Sequence, residues 1–244
     1  MPKENSVRST QLLNRSLYLQ VRDDLARRIA AGEWKPRAAL PNEGDLSREY
    51  GVSSGTMRKA LDLLEQQHLL SRRQGRGTFV NDHSSGDLAC RFTAIRTPDG
   101  KLVVGDIDSP SIQRDPANDA ERARLNLVKG DYVYRIGRLR KVDGKPLMWE
   151  RASVPAELFP NLEQDGFAHS IVALAQEHGV LLGTAEERIS TTKAPADVAK
   201  ALAIDVGSPI AVLDRIVRSI SGDPVEWRVA WCELSENHYL AQMD

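Results

Sequence analysis

Apolar residues in the first part of the chain recur at helical spacing. Val21, Leu25 and Ile29 lie four residues apart, which predicts a helix that begins at Ser16 and ends before Gly32. Two shorter helical patterns follow within residues 42–67. The pattern then changes to alternation, which is typical of strands. The chain therefore opens with a small helical unit that ends in a hairpin.

A turn at Gly51 separates the two shorter helices. Asn42 is placed to cap the first of them and Ser53 the second. The second helix has one apolar stripe, so the positions near its start face outward, where a helix can enter a major groove. The stripe consists of Met57, Ala60, Leu61 and Leu64, and the outward candidates for DNA contact are Ser53, Ser54, Thr56, Arg58 and Lys59.

Residues 71–80 alternate as a hairpin with a glycine tip and carry three arginines. Two helices, a turn and a basic hairpin, in this order, match one DNA-docking geometry, the winged helix-turn-helix. The alternative is a small helical pair with a solvated basic loop. The wing candidates for DNA contact are Arg72, Arg73, Gly75, Arg76 and Gly77.

Beyond residue 88 the pattern mixes strands with helices. Alternation over residues 132–142 and 147–154, with Asp143 and Gly144 between them, predicts a hairpin. A second hairpin is predicted over 209–219 and 225–234, and helical spacing appears at 169–178 and 195–203. We detect no internal repeat. This pattern predicts an α+β domain built on an antiparallel sheet.

The chain therefore divides into four predicted parts. Residues 1–15 are polar and aperiodic, which indicates a flexible tail. Residues 16–80 form the DNA-binding domain, and residues 81–88 are small and polar, as in a linker. Residues 89–244 form the second domain.

Charge is distributed unevenly between these parts. The net charge of the 244 residues is -1, which alone argues against a nucleic-acid partner. Through Val80, however, 14 basic residues stand against 9 acidic ones, a balance of +5. The remainder has 19 basic and 25 acidic residues, or -6. A basic first domain is suited to phosphates, and the acidic remainder is not.

The sequence lacks several other signals. Neither a signal-peptide pattern nor a long apolar run is present, so we expect a cytoplasmic protein with no membrane partner. Cys90 and Cys232 are far apart, and the five histidines have no metal-type spacing. We find no nucleophile-base arrangement and no phosphate-binding glycine loop. No metal, cofactor or catalytic residue is predicted.

Candidate binding chemistry in the second domain lies on the two hairpins, with the charges on the first and the tryptophans Trp149, Trp227 and Trp231 on both. Arg138 and Arg140 face one side of a strand, where two guanidiniums can clamp a carboxylate or phosphate. Glu150 lies across the hairpin and can orient an arginine. Trp149 and Trp231 can stack a planar ligand. The alternatives are a surface ion pair for the charges and ordinary core for the tryptophans.

Two segments resemble known families. The segment LPNEGDLSREYGVSSGTMRKALDLLEQQHLL followed by RRQGRGTFV resembles the GntR family of bacterial transcription regulators. The segments YRIGRLRKVDGKPLMWERASVP and DPVEWRVAWCEL resemble the UTRA effector domain of the HutC-type branch, which has a chorismate-lyase-like fold. The resemblance implies a homodimer that binds double-stranded, two-fold-symmetric operator DNA and a small molecule.

The resemblance also assigns roles to residues. It places Gly75 at the wing tip that enters the minor groove, and Arg58 as the arginine of the recognition helix. It matches Arg138, Arg140, Glu150 and Ser170 to ligand-contacting positions. Family members commonly have an arginine where this chain has Gly44 and another at Ser54. Because arginine can contact a guanine with two hydrogen bonds, the operator is expected to differ from that of typical relatives.

We therefore predict a transcription regulator, a repressor released from a palindromic operator by a small anionic effector, for which an aromatic acid is one candidate. Two other classes stay open from the residues alone. One is an enzyme of chorismate-lyase-like fold with a DNA-binding head. The other is an architectural DNA binder without an effector.

Overall fold

A computed structural model describes residues 16–82, 90–165 and 170–241, without the side chains of residues 109, 164 and 165. The chain splits into two compact units between residues 83 and 84. The predicted tail and most of the predicted linker lie outside the described residues. Asn81 and Asp82, at the start of that linker, contact the first unit. The Asn81 amide donates to the carbonyl of His68 over 2.8 Å, and Asp82 pairs with Arg37 over 2.9 Å.

The first unit contains three helices, α1 (Leu17–Ala30), α2 (Glu43–Tyr50) and α3 (Ser54–Gln66). The predicted caps are present. The Asn42 side chain accepts a hydrogen bond from the Asp45 amide (2.9 Å), and the Ser53 hydroxyl accepts one from the Thr56 amide (3.2 Å). Gly51 ends α2 in the left-handed conformation, with φ 61°. The predicted stripe of α3 is buried against α1, whose Leu25 is fully enclosed.

A hairpin of β1 (Leu70–Arg73) and β2 (Gly77–Val80) follows α3. Leu70 pairs with Val80, and both side chains are buried, so the base of the hairpin is held by the core of the unit. Gly75 and Gly77 have φ of 70° and 107°, which only glycine adopts without strain. The predicted helix-turn-helix and wing are confirmed.

The second unit is built on one antiparallel sheet with the strand order β4-β5-β6-β9-β8-β7. A short pair, β3 (Ile95–Arg96) and β10 (His238–Tyr239), lies apart from it. The sheet strands are β4 (Asp106–Pro116), β5 (Tyr132–Val142), β6 (Lys145–Pro155), β7 (Leu182–Lys193), β8 (Pro209–Ser219) and β9 (Pro224–Cys232). The helices are α4 (Asp119–Leu125), α5 (Leu162–Asp165), α6 (Ile171–Glu177) and α7 (Ala196–Leu202). Both predicted hairpins and both predicted helices are confirmed; β4, β7 and α4 were not predicted.

The succession of strand, helix and hairpin occurs twice in this unit, as β4-α4-β5-β6 and as β7-α7-β8-β9. The two copies meet at β6 and β9 in the centre of the sheet. Equivalent positions match closely, so the expectation of no internal repeat was wrong. The matches are Asn126 with Ala203, both left-handed helix ends, Gly130 with Gly207, Arg138 with Arg215, and Trp149 with Trp227.

The sheet has two differently covered faces. On the inner face, α6 packs through Ile171, Val172 and Leu174 on a core that includes Ile136 and Val154. On the outer face, α4 and α7 cross opposite ends of the strands. Leu125 of α4 packs near Val133 and Trp227, and Leu202 of α7 packs near Trp149 and Trp231. Each face therefore offers its own site between the covering elements.

Candidate functional site

The first candidate surface is the start of α3. Ser53, Ser54, Arg58 and Lys59 are exposed there, whereas Met57 is buried, as the apolar stripe predicts. The Ser53 hydroxyl is engaged as the helix cap and lies 2.9 Å from the hydroxyl of Thr56. Ser53 and Thr56 therefore shape the start of the helix.

The cations of α3 are held by neighbouring side chains. The Arg58 side chain is 66% exposed, and its Nε lies 3.1 Å from a carboxylate oxygen of Glu43. The Lys59 ammonium lies 4.0 Å above the ring of Tyr18. A weak, exposed ion pair is readily exchanged for a phosphate, so Arg58 is available to DNA.

The wing arginines differ from one another. Arg73 lies over the ring of Phe79, with 4.8 Å from guanidinium to ring centre, and Arg76 is exposed at the tip. Arg72 instead contacts the carboxylates of Asp62 and Glu65 on α3. Its charge is thus balanced inside the unit. Arg72 is better placed to hold the wing against α3 than to neutralise a phosphate.

The second candidate site is a buried cluster of charges on the inner face. Arg138 is paired directly with Glu150 across β5 and β6, and their side-chain atoms approach to 2.8 Å. Arg140 and Arg228 reach the same carboxylate over 3.0 Å and 3.1 Å. Arg215 pairs with Glu226 over 2.9 Å. The interpretation as a surface ion pair is wrong, because these side chains are almost fully enclosed.

The cluster carries an excess of positive charge. Arg228 also contacts Glu187 over 2.7 Å, and Glu187 accepts a hydrogen bond from Tyr239 over 2.8 Å. Four guanidiniums therefore face three carboxylates. Arg140 is the most accessible of the seven charged side chains, with 12% of its side chain exposed. The residues of this cluster are Arg138, Arg140, Glu150, Glu187, Arg215, Glu226 and Arg228.

Electrostatics keep the central carboxylate ionised. Burial alone would raise the pKa of Glu150, but the charges of Arg138, Arg140 and Arg228 outweigh it and lower that pKa well below its ordinary value. The same burial lowers the pKa of Arg138. Glu150 is therefore a permanent negative partner at working pH.

A small inner cavity adjoins Arg140. It is lined by Arg138 and Arg140, by Ser170 at the start of α6, and by the segment 92–94. Its free volume is about 30 Å³, close to the space that one water molecule takes up. The Ser170 hydroxyl caps α6 by accepting from the Ala173 amide over 3.3 Å. The structure thus brings together four predicted residues: Arg138, Arg140, Glu150 and Ser170.

Trp149 and Trp231 do not belong to this cavity. They are paired with each other across β6 and β9, and Trp149 is also opposite Leu139, on the outer face. The two tryptophans therefore lie on the face of the sheet opposite the arginines of this cavity. A bulge after Arg140 shifts the register by one residue; without it, the two-residue turn would place Trp149 opposite Arg138.

Sequence reasoning missed Arg215, Arg228, Glu187 and Glu226. One signal was available, because Arg215 alternates with the apolar residues Leu213 and Val217 at inward positions of β8. Arg138 and Arg215 also each follow an equivalent glycine by eight residues, which the internal repeat explains. Only the strand order reveals that these charges meet.

Two other kinds of site were sought in the described part of the chain. None of its helices is both long and apolar enough for a membrane span. In residues 16–82, 90–165 and 170–241, no group of three or more His, Cys, Asp or Glu side chains is arranged to hold a metal ion.

Comparison with known proteins adds to this geometry. The model of the gntR family of bacterial regulatory proteins matches residues 17–80, and the UTRA domain model matches residues 110–236. The Mannosyl-D-glycerate transport/metabolism system repressor MngR of Escherichia coli is 30% identical over 210 residues, covering 84% of this chain and 85% of that protein. The HTH-type transcriptional regulator Rv0792c of Mycobacterium tuberculosis is 34% identical over 196 residues, covering 77% and 71%.

A solved structure shares the fold of the second unit. It is the ligand-binding domain of a GntR-family transcriptional regulator from Bordetella bronchiseptica, with a TM-score of 0.56 and 20% identity. The match covers 62% of this chain and 97% of that structure.

Proposed function

Because this chain belongs to the GntR family of bacterial transcription regulators and carries a UTRA effector domain, we propose that it is a homodimeric repressor released from a palindromic operator by a small anionic effector. The regulator class itself, rather than an enzyme, follows from the family and its named relatives. The finer statements rest on the geometry of the two units. In this proposal, the first unit binds the operator and the second unit binds the effector.

The main support for an anionic effector is that the buried cluster beside the inner cavity has one more positive than negative charge. A buried charge without a full counter-charge is costly, and a carboxylate or phosphate at Arg140 would remove that cost. Arg140 shares one oxygen of Glu150 with Arg138, so it is the arginine most easily turned toward a ligand. A neutral ligand would leave the excess charge in place.

Effector binding requires the inner cavity to open. About 30 Å³ is far below the several hundred Å³ of a typical ligand site. The lining segment 92–94 is held through the Phe92 carbonyl, which accepts from Arg215 over 2.8 Å. This segment is also close in sequence to the boundary between the units. An effector that displaces segment 92–94 would therefore act close to this boundary. In this way, effector binding would change the placement of the DNA-binding units.

A palindromic operator requires two copies of the DNA-binding unit, which a homodimer provides. One helix-turn-helix unit contacts a single half-site, and two copies related by a two-fold axis read two half-sites about one DNA turn apart. A bacterial regulator must reach its operator DNA, so we place its action in the cytoplasm.

The effector assignment is tested by thermal shift with a panel of inorganic phosphate, sugar phosphates and small carboxylates. We expect at least one anion to raise Tm for the full chain and to weaken operator binding. Arg140→Ala should keep operator binding and lose both responses, whereas the exposed control Arg188→Ala should keep them. Stabilisation by neutral compounds alone, or an unchanged response in Arg140→Ala, would contradict the anionic site.

A further inference from the structure

The outer face of the sheet holds a second and larger pocket. This outer pocket lies between α4 and α7 and has a free volume of about 720 Å³, which is within the range of small-molecule sites. Its floor is formed by β5, β6 and β9, with Gly137 and Val229 at the centre. The sheet lies between this pocket and the inner cavity, since neighbouring residues of a strand point to opposite faces, and Arg138 of β5 borders both.

Indole rings line both ends of the outer pocket. Trp227 lies at the α4 end, and Trp149 and Trp231 lie at the α7 end. Trp227 and Trp231 are four residues apart on β9, which is about 13 Å along the strand. The floor between them is formed by Gly137, Arg151 and Val229, which are paired across β5, β6 and β9. Because Gly137 and Val229 are small, the floor leaves room beside Arg151 for a molecule of one or two fused rings. The Trp149 and Trp231 rings are tilted by 31° with centres 5.2 Å apart, which makes one continuous aromatic wall.

One cation of the outer pocket is available for a ligand. The Arg151 guanidinium lies 4.4 Å from the ring centre of Trp149 and pairs with Asp197 over 3.3 Å, and both partners are 60% exposed. Such an exposed pair is weak and is readily exchanged. Arg135, in contrast, is bound to Glu121 over 2.7 Å and to Asp115 over 2.8 Å. The guanidinium that is more easily exchanged to a ligand therefore lies at the aromatic wall.

We propose that the outer pocket is a second ligand site, distinct from the inner cavity, that binds an aromatic carboxylate of one or two rings between its tryptophans, with the carboxylate on Arg151. The walls favour a small molecule over a second copy of this chain. Helices about 10 Å across stand at the two ends of the floor and hinder the approach of a flat sheet face to the indole rings. The proposal does not depend on the anionic effector of the inner cavity.

The test uses 2-naphthoate as the probe and the full-length protein, with calorimetric titration of the wild type and four variants. We expect saturable binding to one site per chain. Arg151→Gln should weaken it about tenfold, because a charge-assisted hydrogen bond is lost. Val229→Phe should weaken it at least about tenfold by filling the floor. Arg188→Gln, which removes an equally exposed arginine paired with Glu186, and Arg140→Ala should bind as the wild type does.

Three results would overturn the proposal. The first is the absence of 2-naphthoate binding to the wild type. The second is binding lost in Arg140→Ala but kept in Arg151→Gln and Val229→Phe, which would place the probe in the inner cavity. The third combines two observations: the wild type does not bind the probe, and Val229→Phe changes the oligomeric mass measured by sedimentation. That combination would identify the outer face as a contact between copies of this chain. Circular dichroism of each variant checks that the fold is kept.

Discussion

At Glu150 one carboxylate contacts three buried guanidiniums, those of Arg138, Arg140 and Arg228. Burial on this scale is tolerated only because each charge has partners within hydrogen-bonding distance. The carboxylate also connects β5, β6 and β9, so it links the two halves of the internal repeat. Loss of this single charge should therefore lower the stability of the whole second unit.

Glu150→Gln should lower the free energy of unfolding by about 3 to 5 kcal/mol, since it leaves buried arginines without a counter-charge. Urea unfolding measures this. The control Glu236→Gln, whose partner pair with Lys145 is exposed, should change stability by less than about 0.5 kcal/mol. Equal effects of the two substitutions would show that the Glu150 cluster contributes no more than a surface pair.

The lowered pKa of Glu150 gives this contribution a pH dependence. A carboxyl with a depressed pKa stabilises the fold fully above its unfolded value of about 4.5, and the stabilisation is lost as pH falls toward the folded-state pKa. The stability difference between wild type and Glu150→Gln should therefore narrow as pH falls from about 6 to about 3. A constant difference over this range would contradict the assignment.

The two cysteines should differ in reactivity. Cys232 is fully buried, and burial raises the pKa of its thiol to about 12, whereas Cys90 is partly exposed. Since the thiolate is the reactive form, iodoacetamide near neutral pH should modify Cys90 in the folded protein and Cys232 only after unfolding. Mass spectrometry of digested peptides reads this out. Equal native labelling of both would contradict the buried position of Cys232.

Among the elements, those with a clear period were predictable, and those at the sheet edges were not. β5, β6, β8 and β9 have apolar residues at alternate positions because one side faces a core. β7 is exposed on both faces over most of its length, with Ile189 half-exposed, so its sequence has no clean alternation. Edge strands of this kind are defined by the backbone hydrogen bonds of their neighbour, which sequence alone does not show.

The bulge in the first hairpin decides which side chains of β6 share a face with Arg138. Turn chemistry at Asp143 and Gly144 was predictable, and the positive φ of both residues agrees with it. The one-residue shift after Arg140 was not, because the residues there show no distinctive pattern. A shift of one residue moves a side chain to the other face. The bulge therefore keeps Glu150 on the face of Arg138, as predicted, and places Trp149 on the opposite face.

The wing gives a prediction at the scale of one hairpin. Arg76→Ala should weaken operator binding and reduce the slope of log affinity against log salt by about 1, because an exposed phosphate contact is lost. Arg72→Ala should change the slope less, since the Arg72 charge is already balanced by Asp62 and Glu65. Salt-titrated fluorescence anisotropy measures both. Equal slopes for wild type and Arg76→Ala would remove Arg76 from the DNA interface.

At the scale of the molecule, the net charge is +5 through Val80 and -6 beyond it. This difference is consistent with DNA binding by the first unit and effector binding by the second. The first unit attracts phosphates, and the second presents acidic surface while enclosing a positive cluster. For the second to regulate the first, the effector must bind more tightly to the arrangement that does not fit DNA. Equal affinity for both arrangements would change nothing, however tightly the effector binds.

This coupling has a reciprocal consequence. A coupling free energy of about 1 to 3 kcal/mol would weaken operator binding roughly 5 to 150 fold when effector is bound, and operator DNA must weaken effector binding by the same factor. Calorimetric titration of the active anion from the thermal-shift panel, into free protein and into its operator complex, measures that factor. A DNA duplex of scrambled sequence serves as the control. Identical dissociation constants in the two titrations would remove the allosteric link and leave a DNA-binding protein whose inner cavity serves another purpose.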